Sequence, residues 1–290
     1  MASVETELKP FPQIAYVIFE SEHGTINTKE NRDVRVLGLE GTDTPPTSFQ
    51  VSSSPNIPGE VVVNSQCDAR HIDIEMTAPQ EMRERMIRMF GTGRKGRLVV
   101  NWGPNTRFID YVVRSSSVVQ ETVTRNLKIF LTLCCPDVYF NGMSDFGENI
   151  AARAPLIAFP NLWYLGDDLV TDYNLFDSGV ALENVGDVPI GVRFTIKATH
   201  GAVLNPTVYT SDDVFVKVFV HMQQNDVLDI STIRRDKHVR LNGESILNHT
   251  DVSSTFFEVE PGSHTLFYKA EDGMENMDVF LFRRPQYLGV

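Results

Sequence analysis

The 290-residue sequence is short of cysteine: Cys67 stands alone, and Cys134 and Cys135 are neighbours. Adjacent residues on a strand point to opposite faces, so this pair makes a poor disulfide or metal clamp. With an odd count and no CxxC, reduced thiols and synthesis in a cytoplasm are expected. Long apolar runs are lacking as well. The opening MASVETELKPFPQIAYVIF places acids ahead of a short, proline-interrupted apolar stretch. No later stretch reaches the length of a membrane span, so neither a signal peptide nor membrane insertion is expected. The Asn248-His249-Thr250 sequon then reads as a chance match. Positive charge is also in deficit, with 26 Lys and Arg against 38 Asp and Glu, a net −12. Such a surface does not attract phosphate backbones.

Patterns that carry chemistry are missing too. The seven histidines (His23, His71, His200, His221, His238, His249, His264) show no HxxxH, HxH or HExxH spacing, and zinc needs ligands presented by a rigid element. His71 and His238 sit in strand patterns and read as hydrogen-bonded structural residues. There is no GxSxG elbow and no DxDxDG calcium loop. Gly91-Thr92-Gly93-Arg94-Lys95-Gly96 formally matches GxGxxG, but it follows a helix and precedes a strand, the reverse of a dinucleotide site. The acidic pairs Asp167-Asp168 and Asp212-Asp213 read as solvated turns. No catalytic, cofactor-binding or metal-binding residue is assigned, no cofactor is expected, and the chain reads as a non-enzyme.

What is present is β pattern. Candidate strands are Val34–Leu39, Glu60–Val63, Ile72–Met76, Arg97–Asn101, Phe108–Val113 and Lys128–Leu133 in the first half. In the second they are Val180–Asn184, Gly191–Ala198, Phe215–Val220, Lys237–Leu241, Thr255–Val259, Thr265–Lys269 and Met277–Arg283. Asn242-Gly243 signals a two-residue hairpin, with Pro261-Gly262 and Asp272-Gly273 closing later turns. One helix is predicted over 78–90. Thr77 would cap it, Met82, Met86 and Phe90 would line its buried face with Ile87 beside them, and Gly91 would end it in a left-handed cap. Thr42–Pro58 reads as a long exposed loop or arm. The fold class is mainly β (α+β): a β-sandwich with one helix over 1–145, then a second β-sandwich over 146–290.

Two residue groups invite a binding role. Arg83, Arg85, Arg88, Arg94, Lys95 and Arg97 form a basic cluster, either a solvated face or a docking surface for an acidic neighbouring subunit. Trp163 and Tyr164 beside Asp167-Asp168 form a weak candidate sugar platform, set against ordinary burial of tryptophan.

Dispersed motifs then narrow the field. Ile57-Pro58-Gly59-Glu60 is followed by the strand Asp68-Ala69-Arg70-His71-Ile72-Asp73-Ile74, the helix, Gly96-Arg97-Leu98-Val99-Val100 and Thr106-Arg107-Phe108-Ile109-Asp110-Tyr111. The first half closes at Leu131-Thr132-Leu133-Cys134-Cys135-Pro136-Asp137-Val138-Tyr139-Phe140. Asn184-Val185-Gly186-Asp187-Val188-Pro189, Asp226–Ile230 and Phe256–Leu266 follow in order, and the sequence stops at Pro285-Gln286-Tyr287-Leu288-Gly289-Val290. The set resembles the distal tail (Dit) proteins of phages with long non-contractile tails. One departure is Val138, where the family has proline before Tyr-Phe.

The resemblance implies a structural component of the virion, synthesised in the host cytoplasm and placed at the distal end of the tail. It implies a homo-hexameric ring whose tail-tube-like first domain joins the tail tube to the tip. Its galectin-like, jelly-roll second domain would dock the tail-associated hub protein and receptor-binding or fibre proteins. Phage DNA would pass through an acidic lumen without specific binding. The alternative is a carbohydrate-binding adsorption module recognising host cell-surface saccharide; a third class, a glycan-cleaving enzyme, has only fold-level analogy behind it.

Overall fold

The computed structural model describes residues 14–54, 57–120, 126–143, 146–149, 153–155, 172–174, 179–210 and 214–290. The chain makes two compact units, Met1–Met143 with Gln286–Val290, and Ser144–Pro285. Expected boundaries of 1–145 and 146–290 placed the last five residues with the second domain. They instead join the first, because Tyr287 and Gln286 pair with Phe140 and Asn141.

In the first unit, alternation sets the layering. Arg70–Ala78 and Leu127–Cys135 each bury every second side chain, as a strand with one covered face must. They pair antiparallel from Arg70↔Cys135 to Ala78↔Leu127. Around them the sheet runs Gly24–Asn27, Ile14–Ser21, Lys95–Trp102, Asn105–Val119, Leu127–Cys135, Arg70–Ala78, Arg35–Glu40. The strand Phe140–Gly142 adds to Asn105–Val119 and carries Gln286–Tyr287 on its other side. Met86, Met89 and Phe90 from the helix join Val17, Phe19, Leu98, Ile109 and Ile129 in one core, and Phe90 meets Phe19 edge-on at 5.1 Å.

The helix is shorter than predicted. A 3-10 turn occupies Gln80–Met82 and the α-helix runs Arg83–Met89. Thr77 does not cap it, because Thr77 is still in the strand, paired with Arg35 and Lys128. Met89, not Ile87, completes the buried face, and Ile87 is exposed. Met86 and Phe90 stay inward as expected, and Met89, three residues after Met86, shares their face where Ile87 does not. The positive-φ glycine is Gly93 rather than Gly91, and its N–H bonds Val113 O at 2.8 Å.

The second unit is a two-sheet sandwich. One sheet runs Phe146–Asn149, Met277–Arg283, Ile190–Ala198, Val227–Ser231, His238–Leu241, Glu244–Ser245; the other runs Val180–Asn184, Gly262–Lys269, Thr207–Thr210, Phe215–Lys217. Val192, Phe194, Ile196, Leu228, Ile230 and Leu281 from the first meet Leu182, Val208, Val216, Leu266 and Tyr268 from the second. Asn242 and Gly243 both take positive φ, 50° and 88°, as the hairpin between Leu241 and Glu244 requires. Two predicted strands are shorter, reduced to Phe215–Lys217 and Glu258–Val259. The expected fold class therefore stands: mainly β, with a curled, helix-bearing N-terminal layer and a C-terminal sandwich.

Candidate functional site

The segment expected as a loop or arm is an arm with regular structure. Thr47–Ser54 pairs with Ile57–Cys67 in a two-stranded sheet of its own. Its Val, Ile, Phe and Thr residues suit extended backbone, but its apolar side chains lack a core. Phe49 is 60% exposed and Val63 67%, with Val51, Val61 and Val62 also exposed. Two-stranded hairpins are at best marginally stable alone in water, and an exposed apolar strand edge is a template for another chain. Thr42–Pro58 therefore covered only half of the arm; Glu60–Val63, expected as a separate strand, is the middle of the other half, which runs to Cys67.

The root of the arm is held from below. Asp68 N bonds Pro46 O at 2.9 Å, and the Ser48 hydroxyl donates to Asp68. Next comes Arg70, only 1% exposed. Its Nε donates to Val138 O at 2.8 Å, and Nη1 to Gly41 O at 2.8 Å and Asp43 O at 2.7 Å. Nη2 donates to Leu288 O, and the Phe140 ring lies 5.0 Å from the guanidinium. Burial lowers the Arg70 pKa from its ordinary value, and four carbonyl dipoles supply what water would have supplied. Burial also pushes the neighbouring Cys135 thiol up to about 12, so it stays a thiol. Arg107 donates to Gly289 O and stacks on Tyr287 at 3.6 Å, while Val290 N donates to Thr42 O at 3.0 Å. Both edges of the arm's root, Gly41–Asp43 and Arg70, thus converge on Leu288–Val290. Sequence reading noted these residues only as separate motifs; a lone arginine opening an apolar strand was the signal available.

The basic cluster is brought together only in part. Arg83, Arg85 and Arg88 are exposed on the helix, with Arg85 donating to Thr25 O at 2.7 Å. Arg97 is engaged within its own sheet, 2.8 Å from Asp110 and 4.1 Å over the Phe108 ring. Arg94 and Lys95 line a shallow depression of about 1070 Å³ that also holds Glu22, His23 and Asp110. The helix arginines are a cationic ridge; the rest is mixed in sign.

Trp163, Tyr164 and both acidic pairs lie outside the described residues. Sequence reading missed an aromatic group in the second unit, where Tyr209 stacks on Phe267 at 5.2 Å with Lys269 Nζ 4.9 Å from the Tyr209 ring. These rings are engaged by neighbours rather than left bare. His238 is hydrogen-bonded to Asp236 and Asp229, and Asp229 is also gripped by Arg193. Among the described residues no His, Cys, Asp or Glu group is placed to hold a metal, and no helix is long and apolar enough to cross a membrane.

Residues 185–280 match the family model of the siphovirus-type tail component, C-terminal domain. No curated protein sequence matches the chain. Among solved structures, the Dit protein of phage SPP1, described as a paradigm of hub adsorption apparatus in phages infecting Gram-positive hosts, is similar over 93% of this chain and 98% of its own, with TM-score 0.65 at 10% identity. The phage P2 baseplate in its activated conformation is similar in its calcium structure over 95% of this chain and 99% of that one, TM-score 0.50 at 8% identity. In its strontium structure the coverage is the same, with TM-score 0.52 at 9% identity.

Proposed function

From a chain with the fold of the Dit tail proteins and their C-terminal family signature, we infer a ring-forming hub at the distal end of a phage tail in the virion. The observation that carries the reading is the arm. Five apolar side chains on a hairpin without a core of its own need a covering surface, and a second copy of this chain offers one. Leu37, Val119 and Phe130, on the sheet of the same unit, are exposed apolar groups as well. Arm and sheet patch are two different surfaces, which is what a head-to-tail contact closing into a ring requires. Six copies, as in the family reading, would surround a passage for phage DNA. The first unit would sit against the tail tube protein, and the second would dock the tail-associated hub and the receptor-binding or fibre proteins.

The test is the mass and shape of the purified full chain, by light scattering and negative-stain microscopy. Rings are expected, and Phe49→Asp combined with Val62→Asp should reduce them to single chains that still melt cooperatively. A wild-type chain that stays monomeric at high concentration, with or without tube and tip proteins, would remove the reading.

A further inference from the structure

We propose that Gln286–Val290 is a latch that fixes the direction of the arm, so that the arm becomes assembly-competent only when this segment is seated. The proposal rests on the hub reading for its consequence, but its physical content lies within one unit of one chain.

Three contacts converge on a short stretch of chain. Arg70 holds Gly41 O and Asp43 O on the near side of the arm's root and Leu288 O on the latch. Arg107 holds the next latch carbonyl, that of Gly289, and packs its guanidinium on the Tyr287 ring. Val290 N closes the set on Thr42 O at 3.0 Å. The arm leaves the unit a few residues after Asp43 and re-enters at Cys67, three positions before Arg70. Beside the Asp68–Pro46 and Ser48–Asp68 bonds within the root itself, Gly41–Asp43 and Arg70 touch the latch directly or through one arginine. Gly289 is where this closeness is forced. A Cβ there would lie 2.7 Å from Thr42 O and 2.8 Å from Asp43 O, distances that backbone atoms do not tolerate. The segment also arrives late in the chain, after all of Ser144–Pro285. During synthesis the arm's own strands are complete long before its anchor is, so the apolar hairpin lacks a fixed direction until the second unit has been made. A hub that must not polymerise on the ribosome gains order of assembly from that delay.

The experiment uses the full chain and two variants, Gly289→Ala, which wedges the latch off Thr42 and Asp43, and Arg107→Lys, which keeps the charge but loses the planar stack on Tyr287. Hydrogen exchange of the root amides (Asp68 and its neighbours) is followed by mass spectrometry beside exchange in Ile190–Ala198 of the second unit. We expect at least tenfold faster exchange at the root with the second unit unchanged, and a matching drop in the ring fraction. Unchanged root exchange in both variants overturns the latch. Uniformly faster exchange in both units overturns it too, since that is general loosening. Faster root exchange with rings intact overturns the link to assembly. The hub reading fails separately, when the wild-type chain itself makes no rings.

Discussion

Arg70 shows how much one side chain can hold at once. A buried cation is costly, and four backbone carbonyls around its guanidinium offset the cost only while all stay in place. Replacing it with methionine keeps much of the volume and removes every donor, leaving the carbonyls of Gly41, Asp43, Val138 and Leu288 without this partner. Arg70→Met should lower unfolding stability of the first unit by about 2 to 5 kcal/mol, since several carbonyls lose a charged donor and each buried acceptor left unsatisfied costs about 1 to 3 kcal/mol, read by denaturant titration with fluorescence and hydrogen exchange. A loss below about 1 kcal/mol would show that the carbonyls find water instead. Gly96 makes a smaller point of the same kind. Its formal place in GxGxxG reflects packing, since a Cβ there would sit 2.6 Å from the Tyr111 ring carbon Cζ, its cross-strand partner.

Among the elements, the helix and the arm separate what a local pattern can and cannot reveal. Met82, Met86 and Phe90 at steps of four identified a helix, but its start depended on competition. Thr77 and Ala78 gain ladder bonds to Lys128 and Leu127 as strand, which outweighs capping a short helix. The helix leaves Arg83, Arg85 and Arg88 on its exposed side. If that ridge meets an acidic neighbour, Arg85→Glu with Arg88→Glu should weaken ring formation and make it less dependent on salt, because exposed charges act through a screened field. Ring yield and mass unchanged between low and high salt would assign the ridge to solvent. The arm was legible in two pieces, an exposed polar-rich stretch over Thr42–Pro58 and a strand over Glu60–Val63, but not as one hairpin, because Val61, Val62 and Val63 in a row break the alternation that would show a register. The register shift opposite Gln50 and Val51 explains the run: Gln50 pairs with Asn64 and Val51 with Val62, leaving Val63 as the extra residue of a bulge.

At the scale of the whole molecule, charge and pH enter. The second unit carries carboxylates whose folded pKa lies below the ordinary one. For Asp229 burial acts in the raising direction, but the hydrogen bonds from Arg193 and His238 outweigh it; for Glu258 the Arg234 hydrogen bond dominates. A depressed folded pKa means that the stabilisation is fully present above the ordinary values, 3.8 for Asp229 and 4.5 for Glu258, and is lost as pH falls through the lower folded values. Melting of the second unit should therefore be flat near neutrality and decline in acid below those values. Asp229→Asn should melt lower at neutral pH and decline less steeply in acid; an equally steep decline would assign the acid response elsewhere.

Composition, alternation and turn chemistry were enough to determine a mainly β chain without catalytic or metal spacing, and the order of its dispersed motifs was enough to suggest the tail-protein family. Those features are local or statistical, so a linear reading carries them. The long-range pairings were decided only by the tertiary structure. Arg70 meets Leu288 across 218 positions, and the last five residues complete the first unit rather than the second because hydrogen-bond partners are chosen by proximity in space, which no window along the sequence contains.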